Sequence, residues 1–394
     1  MNNTGLLNRD QDYFDLNQAG FTAREIAGQP SVWCKVADYL TERSDDITRF
    51  MDSIKDVHGL RTVFSGAGSS AFIGDSAHML LSGEMGLRCE SVPTTDIVAT
   101  PFSTLPDVPT LLVSYSRSGE SPESIGALQY AAHRVSQLYN IVFVCKSGSS
   151  VDQLASGMPN TLVINMPPES CDQGFAMTSS VSGMMLATWC IFGYRKLEAR
   201  LNSVRKLAAL ANSQMDALDL LARQAAVLDF DRIVYLGCGA LKGLAREGAV
   251  KMVELSAGEV NSSWDTPTGF RHGPKSVVNT TTATVHLLSN LGHTRRYDDS
   301  LLKEMLAQRK GNKIIAVATS FEGIEGADLL VLYRLDEDMN GEIHSYIIQL
   351  LFLQLLAMEK SIRLGKNTDD PCAGGEVNRV VKGIEIFSLD PVKS

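Results

Sequence analysis

Two serine-rich loops, one polar helix face and one histidine loop carry the side chains of this chain that could do chemistry. Ser69 and Ser70 end the run Ser65-Gly66-Ala67-Gly68-Ser69-Ser70. Ser116, Ser118 and Ser121 punctuate Ser116-Arg117-Ser118-Gly119-Glu120-Ser121. Each run follows a β-type segment and precedes a helical one. In a parallel sheet, ligands sit beyond the C-terminal strand ends, where the free amides of helix starts suit an anion. Small hydroxyls add donors without bulk, and glycine lets the backbone close in. Singly, such residues only cap helices and make turns. Two adjacent loops of this kind make a phosphate cradle.

Glu247, Lys251 and Glu254 are spaced by four and three, so they share one helical face. Such a face is either an exposed ion-pair stripe or the wall of a cleft. Ala249, Val250, Met252, Val253 and Leu255 leave little else polar on this helix, which favours a cleft. His272 lies in Gly269-Phe270-Arg271-His272-Gly273-Pro274, and an imidazole titrates near working pH. His286 and His293 add no metal-ligand spacing, so no metal is expected. A rival reading exists: Gly66-Ala67-Gly68-Ser69-Ser70-Ala71 matches the dinucleotide pattern G-x-G-x-x-A, with Glu90 about 20 residues on. It leaves the serine loop unexplained.

The elements that must position these residues come in two sets. Strands near 62–64, 110–115 and 141–145 alternate with helical stretches, and strands near 233–236, 284–288 and 314–318 repeat the order. Gly66 to Gly237 is 171 residues, Ser116 to Ser289 is 173, and Val144 to Val317 is 173. Agreement this close predicts two copies of one α/β unit, each a parallel sheet flanked by helices in the flavodoxin-like three-layer α/β/α manner. The expected division is a helical extension at 1–50, copies at 51–205 and 206–372, and a tail at 373–394. Thr22-Ala23-Arg24-Glu25 fits a capping box, and Gln29-Pro30 is expected to break that helix before another at 31–54.

Composition narrows the partners. The 394 residues carry 36 Lys+Arg against 45 Asp+Glu, a net charge of −9, which builds no basic field for nucleic acid or an anionic membrane. Seven cysteines show no C-x-x-C, which points to reduced thiols rather than disulfides or zinc. The first residues lack a signal-peptide pattern, and the expected location is cytoplasmic. The stretch 175–194 carries no charge over 20 residues, but its Ser, Thr and Gly content reads as a buried helix.

Together these motifs resemble the sugar isomerase (SIS) domain family, whose two-domain members include the isomerase half of glucosamine-6-phosphate synthase. Ser116 to Ser121 looks like the family's S-x-S-G-E-[ST] phosphate loop. The 247–254 helix with Arg271-His272-Gly273-Pro274 is similar to its E-x-x-x-K-x-x-E and K-H-G-P elements. Asn378-Arg379-Val380-Val381-Lys382 resembles its R-N-L-A-K tail. The early Thr22 to Trp33 pattern, Ala176-Met177-Thr178-Ser179-Ser180 and Gly269 to Lys275 look like the AgaS type of amino-sugar catabolism.

The resemblance implies two tandem SIS domains acting on a hexosamine 6-phosphate, most simply galactosamine 6-phosphate going to tagatose 6-phosphate and ammonia. It implies phosphate binding by Ser69, Ser70, Ser116, Arg117, Ser118 and Ser121, and catalysis by Glu254, His272 and Lys382. Glu247 and Lys251 would orient the substrate. It implies no cofactor and a homodimer in which His272 completes the partner's site. Only about 50 residues precede the first copy, so the glutaminase domain of the synthase is not expected, which favours ammonia release over synthesis. Plain ketose/aldose isomerisation and phosphosugar sensing stay open, as do the galacto and gluco epimers. Arg117 replaces the synthase's Gln, and the Glu254-to-His272 spacing is two residues longer.

Overall fold

The computed structural model describes residues 5–375, 377–381 and 383–389; Lys382 lies outside them. Two five-stranded sheets, every pair parallel, carry the molecule. The first holds β1 (Arg61–Ser65), β2 (Cys89–Ser91), β3 (Thr110–Ser116), β4 (Leu138–Val144) and β5 (Thr161–Asn165) in the order β2-β1-β3-β4-β5. The second holds β6 (Arg232–Leu236), β7 (Asn261–Asp265), β8 (Thr282–Leu287), β9 (Lys313–Ala318) and β10 (Leu329–Leu332) in the order β10-β9-β8-β6-β7. Shifting strand numbers by five turns one order into the other. Both are the flavodoxin-like order, with the switch point between the first and third strands of each copy. β3 and β8 are buried along their whole length, as central parallel strands must be.

The duplication extends to backbone angles. Gly68 has φ 56° and ψ −131°, and Gly239 has φ 59° and ψ −130°. Only glycine enters that region freely. The preceding glycine in each loop makes room for the helix. A Cβ on Gly66 would fall 2.5 Å from the Ser70 carbonyl carbon, and one on Gly237 would fall 2.4 Å from the Leu241 oxygen.

The two halves meet through the helices that follow these loops. Helix Ser69–Met85 crosses helix Ala240–Leu255 at Gly243, where a Cβ would lie 2.3 Å from Ser76 Oγ. Arg246 Nη1 to Asp75 Oδ2, 2.8 Å, fastens the crossing. Helix Glu342–Arg363 packs against Leu197–Ala226 and Ala240–Leu255, with Glu342 to Ser361 all buried. Among the described residues it alone is long and apolar enough to cross a membrane, yet 94% of its most apolar window is buried inside the protein. The uncharged 175–194 stretch forms helix Ser179–Phe192, all of it buried, as read from the sequence.

Two local expectations fail. Thr22 is not a helix cap, because helix Gly20–Glu42 begins two residues earlier. Its capping carboxylate comes from Asp369, which accepts from Phe21 N (2.9 Å), Thr22 N (2.8 Å) and Thr22 Oγ1 (2.7 Å). Pro30 does not break that helix either. It sits inside, buried, while the Gln29 side chain bonds Gln354 Oε1 at 2.7 Å. Proline removes one ladder hydrogen bond, and burial against the core offsets that loss. The helix ends at Glu42 and a new one, Ser44–Ile54, follows. The edge strands β2, β5, β7 and β10 were not anticipated.

Candidate active site

The switch point of the first sheet is flanked by the two serine loops. Ser69 and Ser70 open helix Ser69–Met85, both buried, and Ser70 Oγ lies 3.8 Å from Met177 Sδ. Ser116 ends β3 and its Oγ accepts from Gly119 N at 3.0 Å. Ser118 Oγ accepts from Glu120 N at 3.2 Å. A hydroxyl that accepts an amide keeps its own proton for a ligand. Ser121 caps helix Pro122–Arg134, accepting from Ser124 N at 3.4 Å and donating to Ser124 Oγ at 2.7 Å. Glu120 turns outward to Ser150 Oγ (2.7 Å) and Lys146, so no carboxylate of this loop intrudes on the cradle.

Arg117 is buried at 7% exposure. Its Nη1 donates to the Phe175 carbonyl at 3.1 Å and its Nη2 to the Arg379 carbonyl at 2.9 Å. Burial holds its pKa down, and Asp172, Arg379 and Glu254 act on its charge. Arg379 in turn donates to the Asp172 carbonyl. Sequence reading gave Asp172 no role. It is buried, and its carboxylate takes Thr178 N (3.0 Å), Thr178 Oγ1 (2.7 Å), Ser179 N (2.8 Å), Ser180 N (3.1 Å) and the Ser180 hydroxyl, capping helix Ser179–Phe192. The available signal was an Asp six residues before a Thr-Ser-Ser run that opens an apolar helix.

The opposing wall is helix Ala240–Leu255. Glu247 and Lys251 are fully buried and Glu254 is 27% exposed. Lys251 Nζ stands 2.5 Å from Glu254 Oε2 and 3.6 Å from Glu247 Oε1. Burial works against the lysine's charge, but the two carboxylates outweigh it and leave its pKa raised. Among the described residues neither Glu247 oxygen makes a hydrogen bond, although the Ser69 side chain lies beside them. Burial pushes Glu247 up to about 7. The structure thus brings together the glycine loop, Arg117 of the serine loop and the Glu247–Lys251–Glu254 face.

It does not bring His272 to them within one chain. His272 follows β7 and the short helix Pro267–Phe270, and it is exposed. No hydrogen bond or ion pair joins it to Glu254, Lys251 or the serine loop. Its neighbours are clamped: Arg271 Nε reaches Glu304 Oε2 at 2.7 Å, and Lys275 reaches Glu304 and, at 2.6 Å, Gln308 Oε1. Lys382 lies outside the described residues. Glu90, which a dinucleotide site would aim at a ribose, is gripped by Arg61 Nε and Nη2, both at 2.9 Å, so its carboxylate is already taken. Among the described residues no three His, Cys, Asp or Glu side chains group to hold a metal ion.

The SIS domain model matches residues 56–193. The AgaS protein of Streptomyces coelicolor is 38% identical over 381 residues, 95% of this chain and 97% of that one. The D-galactosamine-6-phosphate deaminase AgaS of Escherichia coli O157:H7 is 34% identical over 368 residues, 93% of this chain and 95% of that one. The crystal structure of tagatose-6-phosphate ketose/aldose isomerase from Escherichia coli superimposes with a TM-score of 0.86 at 32% identity, over 95% of this chain and 97% of that one.

Proposed function

This chain belongs to the SIS domain proteins of the AgaS type, related to the isomerase domain of glucosamine-6-phosphate synthase, and from that footing we propose that it converts galactosamine 6-phosphate to tagatose 6-phosphate and ammonia. Homologues of this similarity carry deaminase and isomerase names, and more than nine-tenths of each chain is shared. The observation that carries the reading is the Lys251–Glu254 pair on the wall opposite the serine cradle.

In this reading the phosphate sits on Ser70, Ser116, Ser118 and Ser121, with Ser69 assisting. Binding there holds the far end of the sugar, so that C1 and C2 stay oriented at Glu254. Once the ring is open, Glu254 takes the proton from C2 and a C1=C2 enolamine forms. Returning the proton to C1 leaves a ketimine at C2, and water releases it as ketose phosphate and ammonia. A positioned acid–base group contributes about 10²–10⁴-fold. Lys251 fixes the carboxylate through its 2.5 Å contact. Lys382 is assigned to steady the developing oxygen charge. Its flanks are anchored: Arg379 on Arg117, and Ile386 against Val98 and Gly126.

His272 is assigned to ring opening in a homodimer, acting on the partner's substrate. Its exposure on a clamped loop, out of contact with its own chain's Glu254, supports that arrangement.

The test is ammonia release from galactosamine 6-phosphate and, separately, glucosamine 6-phosphate, with Glu254→Gln as control. Ammonia matched by ketose phosphate and lost in the variant is expected. No ammonia from either sugar overturns the deaminase reading. Tagatose 6-phosphate isomerisation, the activity named for the superimposable structure, is then assayed directly.

A further inference from the structure

We propose that a cavity under the first sheet binds an organic anion with an apolar body, at a site separate from the serine cradle and independent of the reaction proposed above. The cavity is about 970 Å³, at the upper end of the range of small-molecule sites. It opens at the N-terminal ends of β1 and β3, where Arg61, Thr62, Val108 and Leu111 line it. The serine loops lie at the other ends of these strands, and β3, seven residues long, spans roughly 20 Å.

Its lining separates by chemistry. Met51, Ile54, Leu111 and Phe192 form a floor of buried side chains, and Met85 and Val108 leave further apolar surface exposed at the mouth. Among the described residues, the neutral polar side chains lining it are Thr62 and Tyr194, so its polar character comes mainly from charged groups. The charged residues lean positive. Arg61 holds Glu90, and Arg200 holds Glu84 at 3.2 Å. Lys55 pairs with Asp52 at 3.1 Å, and Asp52 and Asp56 also act on Arg195. Arg88 and Lys196 are exposed and, among the described residues, without an ion pair, in a chain whose net charge is −9. Arg88 acts on the Glu90 carboxylate, which Arg61 already holds by both oxygens. An apolar floor beneath two unpaired cations fits a carboxylate or phosphate head on an apolar body.

The probe is 8-anilinonaphthalene-1-sulfonate, titrated by fluorescence into the full chain. One site per chain is expected. The double substitution Arg88→Glu with Lys196→Glu should weaken binding about tenfold, since the local field is reversed. Arg88→Lys with Lys196→Arg, which keeps both charges, should bind as the parent does. Decanoate should displace the probe, and galactosamine 6-phosphate should not. Unchanged probe affinity in the doubly reversed variant overturns the proposal. So does displacement by the sugar phosphate in place of decanoate.

Discussion

The guanidinium of Arg117 reaches across 262 positions of sequence to donate to the backbone carbonyl of Arg379 at 2.9 Å. One end of this contact is on the serine loop and the other on the C-terminal tail. The chain beyond helix Glu342–Arg363, the tail included, is held at further points. Asp369 caps helix Gly20–Glu42, Arg379 donates to Asp172, and Tyr130 donates to the Phe387 carbonyl. Ile386 and Leu389 pack with Val98 and Ala127 on the outer face of the first sheet. The tail is therefore a strap tied on both sides of the serine loop.

Replacing Arg117 by Met keeps an unbranched stem but is shorter and leaves the Phe175 and Arg379 carbonyls without their donor. An unsatisfied buried polar group costs about 1–3 kcal/mol. Arg117→Met should lower the thermal midpoint and speed proteolysis within 377–389 before the core is cut. Arg117→Lys should recover part of both. Proteolysis unchanged in the Met variant would mean the strap is held without this contact.

Mixing two inactive variants tests the shared site. If His272 serves the partner's Glu254, dimers formed from one Glu254→Gln chain and one His272→Ala chain carry one intact site. Random re-assembly should then restore about a quarter of parental activity. Activity that stays at the level of the separate variants would place His272 in its own chain's chemistry or outside it.

Glu25 gives a pH signature. Burial, then the charge of Asp172, push it up to about 7, although its carboxylate accepts from Gly174 N at 3.1 Å. Asp369 adds to the same repulsion. The folded state binds this proton more tightly than the unfolded chain does. The proton's contribution to stability is therefore full below about pH 4.5 and is lost as pH rises toward about 7. The slope is at most about 1.4 kcal/mol per pH unit. Glu25→Gln keeps an acceptor for the amides and should flatten that fall in urea denaturation between pH 5 and pH 8. Parallel curves for parent and variant would remove Glu25 as the cause.

The paired glycines separate stability from binding. Gly68→Ala and Gly239→Ala each force a side chain into a region that costs on the order of 1–3 kcal/mol. Both should lose stability by that order. Only Gly68→Ala, on the cradle, should also raise the KM for the phosphosugar, measured in the ammonia assay. Equal KM changes in both would place substrate at both switch points.

The duplication was legible because the glycines that shape each loop cannot be exchanged for other residues, so Gly66 and Gly237 keep their place. The Glu247–Lys251–Glu254 face was legible because helical spacing is local. Short edge strands escaped: β2 is three residues and half-buried, with no alternation to read. Arg117's partners, Asp369's caps and the survival of the helix through Pro30 escaped for one shared reason. Each depends on a group brought from far along the chain, and no local pattern records it.

The strap also sets an order of events during synthesis. Arg117 leaves the ribosome 262 residues before Arg379 does, and domains fold as they emerge, amino-terminal part first. The first sheet can form while the guanidinium still lacks its Arg379 acceptor. Translation must run past residue 379 before the serine loop has its full set of contacts. A nascent chain is then held incomplete at this loop until the segment around Arg379 has been made.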